Sequence, residues 1–358
     1  MQQLGVAVLK SSKGKKIIAI AAVILVALAV AGVIRSRRKT PYRSSSVSMG
    51  TVVSESLYSR SGKAAEKAIA EINRSINELD RKDLSWRVKG SDVYRLNHEG
   101  SCKVSPETAE CIKYSLEIAA ASGGKFDPTI GKVTTLWNIG TEDARVPEER
   151  EIAEALTYVA PAKVKVSGDT VSIGKGQFLD LGATGKGLAC DRAKEILSGS
   201  KVTGGIVSVG GSLLIYGKNP VTKDGQWLTG VRNPFAGEND YALTVKTGEA
   251  FISTSGDYEK VFEKDGKKYH HIIDPYTGYP AEIDVSGVTV IAKTGFLSDA
   301  LSTACFITGY NKDSLSLLEK YGAEAVFIMK DRKVYATDGI RDSIKITDSS
   351  FRWGEEKQ

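Results

Sequence analysis

Two oxygen-bearing side chains, Asp299 and Thr303, are four residues apart in the segment Ser298-Asp-Ala-Leu-Ser-Thr303. On a helix this spacing places both on one face, one turn apart. Hard oxygen ligands on one face suit Mg²⁺, which keeps water or phosphate oxygens in its other positions. Alternatively, Ser298 is the N-cap of a helix and Asp299 is a first-turn carboxylate favoured by the helix dipole.

A second candidate for chemistry is the run Phe178-Leu-Asp-Leu-Gly-Ala-Thr-Gly-Lys-Gly187. Its apolar start, Phe178–Leu181, predicts a short buried strand that carries the carboxylate of Asp180. A glycine-rich turn and a helix follow, and the N–H groups at a helix start, together with Lys186, suit a phosphate. The glycine spacing matches neither the P-loop nor the Rossmann fingerprint, so an ordinary strand–helix connection is the alternative.

Two of the three histidines, His270 and His271, stand directly before the turn Asp274-Pro-Tyr-Thr-Gly278. A histidine of near-neutral pKa is the usual proton acceptor for a hydroxyl nucleophile. The alternative is a histidine that hydrogen-bonds a carbonyl of the turn. A further segment, Gly124-Lys-Phe-Asp-Pro-Thr-Ile-Gly131, indicates by itself only a turn.

The composition excludes several classes of protein. With 358 residues, 41% of them hydrophobic and 26% charged, the chain can bury a sizeable core, and the composition argues against wholesale disorder. Four cysteines without a CxxC pair, and only three histidines, argue against a disulfide scaffold and a structural zinc site. Residues 1–43 hold nine Lys and Arg and no acidic residue, and the remainder is slightly acidic. The globular part therefore lacks the basic excess that nucleic-acid binding requires.

The basic arm contains an uncharged run, Ile17–Ile34, of 18 residues. That is long enough to cross a bilayer as a helix. A cleaved signal peptide is the alternative, but Arg35-Ser-Arg-Arg-Lys39 resembles no cleavage site. We therefore expect a basic segment (1–16), a transmembrane helix (17–34), a linker (35–48) in which Thr40–Ser48 is a polar tether, and one domain (49–358).

The periodicity within 49–358 mixes helices and strands without strict alternation, which favours an α+β fold with mixed or antiparallel sheets and packed helices. The predicted helices are 63–82, 106–121, 148–156, the one that follows the glycine-rich turn to Leu197, and 298–307. The predicted strands are 163–166 and 170–173 as one hairpin, 178–181, 206–209, 212–216, 227–231, 242–245, 288–292, and 323–330 with 333–336 as a closing hairpin.

Taken in order, these pieces resemble the ApbE family, the FAD:protein FMN transferases. The resemblance covers about residues 49–310, and the fold that it implies is ApbE-like. The landmarks are Met49-Gly-Thr51, Arg95-Leu-Asn97, Phe126-Asp-Pro-Thr129 with Leu136-Trp137, Leu179-Asp-Leu-Gly182 with Gly185-Lys-Gly187, Val207-Ser-Val-Gly-Gly211, Ile252-Ser-Thr-Ser-Gly256, His271-Ile-Ile-Asp-Pro-Tyr-Thr-Gly278 and Ser298-Asp-Ala-Leu-Ser-Thr303.

The resemblance implies a Mg²⁺-dependent transfer of FMN from FAD to a Thr or Ser hydroxyl of a partner protein, with release of AMP. It implies that Asp299, Thr303 and the Ala183 carbonyl bind the metal, and that His271 is the catalytic base. The residues that it places against FAD are Met49, Trp86, Phe126, Asp127, Asp180, Lys186 and Ile273. Some members carry an Asp where this chain has Ser302, which leaves fewer carboxylates for the ion.

Two other functions fit the same motifs: a Mg²⁺-dependent FAD pyrophosphatase, in which water replaces the acceptor hydroxyl, and a membrane-tethered FAD-binding protein. A binder would need neither the metal motif nor His271. Because targets of such enzymes are mostly outside the cytoplasm, we expect a single-pass membrane protein with an extracytoplasmic domain. We also expect four free thiols, mostly buried in helices.

Overall fold

A computed structural model of the chain describes residues 40–355. The predicted basic segment 1–16 and transmembrane helix 17–34 lie outside these residues. Within 40–355, no helix combines the length and the apolar character that crossing a membrane requires.

The strands form one large sheet and three small ones. The large sheet has the order β1-β2-β6-β7-β10-β13-β14-β15-β17, and all its pairs are antiparallel except β15–β17. The strands are β1 (Tyr42–Ser48), β2 (Thr51–Ser59), β3 (Ser101–Lys103), β4 (Lys165–Ser167), β5 (Thr170–Ser172), β6 (Val202–Val209), β7 (Ser212–Gly217), β8 (Trp227–Arg232), β9 (Tyr241–Thr247), β10 (Ala250–Gly256), β11 (Val261–Lys264), β12 (Lys267–His270), β13 (Val285–Ala292), β14 (Glu324–Met329), β15 (Lys333–Ala336), β16 (Ile344–Ile346) and β17 (Arg352–Trp353).

The small sheets are β16-β9-β8, β3-β5-β4 and the hairpin β11-β12. A π-helical turn, Leu79–Leu84, continues the first helix. The α-helices are α1 (Gly62–Glu78), α2 (Asp92–Glu99), α3 (Pro106–Ala121), α4 (Gly131–Trp137), α5 (Glu149–Leu156), α6 (Gly185–Ser198), α7 (Gly295–Thr308), α8 (Lys312–Tyr321) and α9 (Asp338–Arg341). The predicted α+β class with mixed and antiparallel sheets is therefore confirmed.

The main core lies between the large sheet and the helices α1, α6 and α7. Val207 and Leu214 of the sheet and Ala193 of α6 belong to one continuous buried cluster, together with Leu301 and Phe306 of α7. Nearly every residue of α7 from Gly295 to Ile307 is buried. Polar side chains on this helix are consequently enclosed and require partners within the protein.

Local signals predicted several elements correctly. Helix α3 spans the predicted residues, with the Ser105 hydroxyl accepting the N–H of Thr108 at 3.1 Å and Pro106 in the first turn. The hairpin β4–β5 and the closing hairpin β14–β15 also lie where sequence periodicity placed them. Such elements carry their own caps and turns, so little outside them decides their boundaries.

The predicted strand Phe178–Leu181 is wrong: only a single bridge, between Phe178 and Ile130, is present there. The backbone groups of this segment bond elsewhere. The carboxamide of Asn97 receives the N–H of Leu179 at 2.7 Å and donates to its carbonyl at 3.0 Å. The N–H of Asp180 donates to the Pro128 carbonyl at 2.9 Å. A side chain and a turn thus replace a neighbouring strand.

The predicted tether Thr40–Ser48 is also wrong for most of its length, because β1 begins at Tyr42 and pairs with β2 along its whole length. Its alternate residues carry hydroxyls that face α1, where Ser46 donates to Asn73 and Ser48 donates to Asn77. Since polar pairs replace apolar alternation on this face, hydrophobic periodicity gave no strand signal. Residues 42–48 therefore belong to the large sheet, upstream of the predicted domain boundary at Met49.

All four cysteines are free, as predicted. Cys111, Cys190 and Cys305 are buried in α3, α6 and α7, and Cys102 is half-buried in β3.

Candidate active site

One pocket collects most of the residues singled out by sequence analysis. Its wall is formed by the turn before α6, one face of α7, the end of β10 with the loop that follows it, and the segment after β12. The predicted site residues that line it are Phe126, Asp127, Asp180, Ala183, Lys186, His271, Ile273, Asp299 and Thr303. The structure does not bring Met49 or Trp86 to this wall.

Asp299 lies on α7 at the base of the pocket and is only 4% exposed. Its Oδ2 accepts the N–H of Gly187 at 2.9 Å, and its Oδ1 lies 3.4 Å from the ammonium of Lys186. Thr303 follows one turn later on the same helix and reaches the same pocket. A partnered carboxylate and a hydroxyl are therefore aligned on one helix face, as their spacing predicted.

The alternative interpretation of Ser298 as an N-cap is wrong. Helix α7 begins at Gly295, and the hydroxyl of its N-cap, Thr294, accepts the N–H of Leu297 at 3.2 Å. Ser298 lies inside the first turn and donates to the Gly295 carbonyl at 2.9 Å. Asp299 is consequently too far along the helix to cap it, and its carboxylate bonds α6 instead.

Helices α6 and α7 approach closely at two glycines, Gly187 and Gly295. A Cβ added to Gly187 would lie 2.0 Å from the carbonyl oxygen of Gly295, and the converse substitution meets the same distance. Such a contact is impossible for any residue with a side chain. The second glycine of the Gly185-Lys-Gly187 motif thus brings the Asp299 carboxylate within reach of the α6 backbone.

Asp191, which sequence analysis missed, fixes the start of α7. Its carboxylate accepts the N–H groups of Gly295 at 2.7 Å and Phe296 at 2.8 Å, so a side chain of α6 caps α7. Burial raises the pKa of Asp191 to about 6. An aspartate in mid-helix is a weak sequence signal, because its partners are more than a hundred residues away.

The turn before α6 is held by Asp180. Its Oδ1 accepts the N–H of Gly182, and its Oδ2 accepts the hydroxyl of Thr134 on α4, each at 2.9 Å. The Lys186 ammonium lies 3.2 Å from the carbonyl of Gly182. The turn therefore presents Ala183 and Lys186 to the pocket from a fixed backbone.

His271 has one ring nitrogen engaged and one open. Its Nδ1 lies 3.0 Å from the carbonyl oxygen of Glu259. Because a carbonyl only accepts, Nδ1 carries the proton and Nε2 holds a lone pair. Nε2 has no hydrogen-bond partner among residues 40–355. Burial, with the positive charges of Lys260 and Lys186, lowers the pKa of His271 to about 3, so the ring is neutral near pH 7.

His270 differs in each respect. Its Nε2 lies 3.1 Å from the Ala281 carbonyl, and its Nδ1 accepts the N–H of Ile272 at 3.3 Å. Both nitrogens are thus occupied, and the ring packs edge-on against Phe306 outside the pocket wall. Both histidines hydrogen-bond a carbonyl, but neither acceptor, Ala281 or Glu259, belongs to the turn Asp274–Gly278 that the alternative named.

One part of the pocket is apolar. Phe126, Ile130, Trp137, Ile139 and Ile273 line it together, which suits a planar aromatic ring. The carboxylate of Asp127 lies beside them. One of its oxygens, Oδ1, is engaged within its own turn, where it accepts the N–H of Thr129 at 2.7 Å. Burial raises the pKa of Asp127.

Met49 and Trp86 lie behind the wall. The N–H of Met49 donates to the carboxylate of Asp80 at 3.2 Å in a left-handed turn, and its side chain packs near Gly185 at the start of α6. The Trp86 ring packs edge-on against Phe178, and the guanidinium of Arg87 lies over the ring, 3.8 Å from its centroid. Of these neighbours, only Arg87 lines the pocket.

Besides Lys125, which is paired with Asp274 at 3.2 Å, two cations in the pocket were not predicted, Arg87 and Lys260. Burial lowers the pKa of Lys260, with contributions from the charges of Lys186 and Arg87. Both residues lie in connecting segments, where no periodicity marks a functional position. With Lys186 they give the pocket a positive character that suits a multiply charged anion.

No group of three or more His, Cys, Asp or Glu side chains in residues 40–355 is arranged to hold a metal ion. A Mg²⁺ ion would therefore depend on the carboxylate of Asp299, the hydroxyl of Thr303 and backbone oxygen at Ala183, all of which line one pocket. These are the hard oxygen donors that Mg²⁺ prefers, and phosphate oxygens or water would complete its octahedron. The donor set fits the ion.

Comparison with known sequences places this pocket in a family. A sequence model described as the ApbE family matches residues 49–327. The chain is 33% identical over 332 residues to the FAD:protein FMN transferase of Treponema pallidum, covering 88% of this chain and 91% of the relative. It is 31% identical to the Escherichia coli K12 protein of the same name, over 76% of this chain and 80% of that protein.

Comparison with solved structures points to the same family. The fold matches the ApbE protein of Thermotoga maritima with a TM-score of 0.74 and 30% identity, over 84% of this chain and 98% of the other. It matches the apo form of the flavinyl transferase ApbE from Pseudomonas stutzeri with a TM-score of 0.72 and 26% identity, over 85% and 96% of the two chains. The matched residues include every pocket residue described above, and the chain belongs to the ApbE family.

Proposed function

We propose that this chain transfers FMN from FAD to a Thr or Ser hydroxyl of a partner protein, with Mg²⁺ bound and AMP as the leaving group. The observation that carries the proposal is the joint placement, in one pocket, of the Asp299–Thr303 oxygen pair and a neutral His271 with a free Nε2. Its relatives bear the name FAD:protein FMN transferase, which fits the same chemistry.

The reaction forms a bond between the acceptor oxygen and the phosphorus of the FMN half, and it breaks the P–O–P link so that AMP leaves with the bridging oxygen. Mg²⁺, when bound, would neutralise charge on the pyrophosphate oxygens. Lys186 supplies a further positive charge from the first turn of α6. The apolar wall around Phe126 and Ile273 holds an aromatic ring of FAD.

His271 receives the proton of the acceptor hydroxyl at Nε2. The Glu259 carbonyl fixes the Nδ1–H tautomer, so the basic nitrogen is the one that is open. The low pKa of the ring in the free chain keeps it unprotonated at neutral pH. The negative charge of a bound pyrophosphate would raise that pKa and make Nε2 a stronger base.

The test combines the full-length protein with FAD, Mg²⁺ and candidate exported acceptor proteins, followed by in-gel flavin fluorescence after denaturation. We expect a fluorescent acceptor band that EDTA abolishes, with AMP appearing in equal amount. Release of FMN and AMP without any labelled band would identify an FAD pyrophosphatase instead. Binding of FAD without either product would identify a storage protein.

We also propose that Ile17–Ile34 anchors the chain as a single-pass membrane helix, with the domain outside the cytoplasm. The uncharged run supports the span. Basic residues flank both of its ends, so the orientation rests on the resemblance, since targets of such enzymes are mostly outside the cytoplasm. Because β1 begins at Tyr42, residues 35–41 could separate domain and bilayer by at most about 25 Å. Protease shaving of intact cells with a C-terminal tag tests the orientation, and a tag that survives until permeabilisation contradicts it.

A further inference from the structure

A chain of buried hydroxyl groups joins β10 to α7 beside the pocket. The Oγ of Ser255 lies 2.8 Å from the Oγ of Ser302 and 3.3 Å from the Oγ1 of Thr303. Ser255 is 9% exposed and Ser302 is fully buried. Ser255 and Thr303 both line the pocket, whereas Ser302 does not.

The direction of the hydrogen bonds in this chain follows from its last member. The Ser302 hydroxyl donates to the Asp299 carbonyl oxygen at 2.9 Å, and a carbonyl only accepts. Since a hydroxyl has one proton, Ser302 then accepts from Ser255. Because the Ser255 hydroxyl donates its only proton to Ser302, its oxygen accepts the hydrogen bond from Thr303.

Thr303 is therefore the donor at the start of the chain, and its proton points toward Ser255. Its side chain lines the pocket, and both lone pairs of its Oγ1 are left without a donor among residues 40–355. A hydroxyl that approached a cation with its proton would repel it, whereas one that presents lone pairs binds it.

We propose that Ser255 is a positioning residue that sets the orientation of the Thr303 hydroxyl, so that Thr303 offers a lone pair to a divalent cation in the pocket. The inference deepens the proposed function and rests on the metal site assumed there. The series of hydrogen-bonded hydroxyls Thr303–Ser255–Ser302 is called the relay below. Ser302, where some family members carry an Asp, stands at its far end from the pocket.

The neighbouring serine provides a matched control. Ser253, two residues earlier on β10, is also buried and lies 3.0 Å from the Ser212 Oγ and 2.8 Å from the Ser298 Oγ. That second hydroxyl chain does not contact Thr303. Ser253→Ala thus deletes the same atom from the same strand without touching the relay.

The experiment titrates the full-length protein with Mn²⁺ in the presence of FAD and follows free Mn²⁺ by electron paramagnetic resonance. Loss of an outer partner of a metal ligand typically weakens metal binding about 10–100-fold, which is the effect expected for Ser255→Ala. Ser253→Ala should stay within about twofold of wild type, and Ser255→Thr, which restores a hydroxyl, should recover most of the affinity. Circular dichroism establishes that each variant is folded.

Wild-type Mn²⁺ affinity in Ser255→Ala would overturn the proposal, as would an equal loss in Ser253→Ala or no Mn²⁺ binding by the wild type. FAD affinity measured without metal should be unchanged in Ser255→Ala, and a matching loss there would identify Ser255 as an FAD contact instead. If Ser255→Ala does not fold, Ser302→Ala tests the relay from its other end. Without the Ser302 oxygen as acceptor, the Ser255 hydroxyl would donate its hydrogen bond to Thr303, and Mn²⁺ binding should again weaken. An unchanged Mn²⁺ affinity in Ser302→Ala refutes the relay.

The outcome is separable from the fate of the proposed function. A protein that binds Mn²⁺ through this relay but transfers no flavin would leave the inference standing and remove the transferase activity. If the wild type transfers flavin and Ser255→Ala binds Mn²⁺ normally, the transferase activity stands and the role of Ser255 is refuted.

Discussion

Two carboxylates of this protein are almost equally buried and have very different surroundings. Asp299, 4% exposed, lies at the base of the pocket, where a backbone N–H and the Lys186 ammonium meet it. Glu55, 2% exposed, lies on β2 beneath α1. Neither Glu55 oxygen has an aligned hydrogen-bond partner within residues 40–355, although Ser44 and Asn73 are close.

The comparison separates the effect of burial from that of partners. Burial raises the pKa of Glu55, because nearby hydroxyl and amide groups offset only part of the lost hydration. Asp299, by contrast, has a backbone N–H and an ammonium in contact with its carboxylate oxygens. Burial without aligned partners therefore favours the neutral acid at Glu55, whereas the Asp299 carboxylate is held by fixed partners at the pocket.

The largest effect that would sharpen this contrast is loss of transfer in Asp299→Ala. Flavin transfer should fall below detection, because the only pocket carboxylate proposed for the metal is gone, while the domain stays folded. Asp299→Asn should be equally inactive, although its amide oxygen can still accept the Gly187 N–H. In-gel fluorescence and thermal melts measure both. Retained transfer in either variant would reduce Asp299 to a structural link between α6 and α7.

The next largest effect concerns the two adjacent histidines. His271→Ala should lower the transfer rate by about 10²–10⁴-fold, as expected for a general base, and still bind FAD. His270→Ala should transfer FMN at a similar rate but melt at lower temperature, since it abandons two buried hydrogen bonds. Equal losses of transfer in the pair, or loss of FAD binding in His271→Ala, would indicate a structural role for His271.

A smaller effect tests the charges around His271. Because its pKa in the free chain is about 3, protonation of this ring should not depress kcat/KM for transfer as the pH falls from 8 to 5. Lys260→Met removes a neighbouring positive charge, so the pKa of His271 should rise and the acid limb should move to higher pH. Histidine resonances followed by NMR against pH measure the shift. An unchanged or lower His271 pKa would contradict the assigned cause.

The smallest effect concerns Glu55 itself. Its pKa is raised in the folded state, so the folded chain binds this proton more tightly than the unfolded chain, and stability is lost as the pH rises through the folded pKa. Glu55→Gln should therefore stabilise the domain by on the order of 1 kcal/mol at pH 8 and by less at pH 4. Transfer should not change. Destabilisation at pH 8 would mean that Glu55 has a charged partner there.

Much of the fold was predictable because its signals are local. Helix α3 carries its cap at Ser105 and its proline at the first turn, and the closing hairpin carries its own turn, so both lie where they were predicted. The strand β1 was missed because its inward face consists of serines that pair with Asn73 and Asn77 of α1. The stretch Phe178–Leu181 was mistaken for a strand because Asn97, far away in sequence, bonds its backbone.

The chain by itself determined which residue types are available for chemistry and, through the helical repeat, that Asp299 and Thr303 share a face. Only the tertiary structure decided their surroundings. The close approach of Gly187 to Gly295, the cap that Asp191 places on α7 and the contact between Thr303 and Ser255 join segments separated by tens to more than a hundred residues. Spacing within one helix follows from backbone geometry, whereas these contacts exist only once helices and sheet have packed.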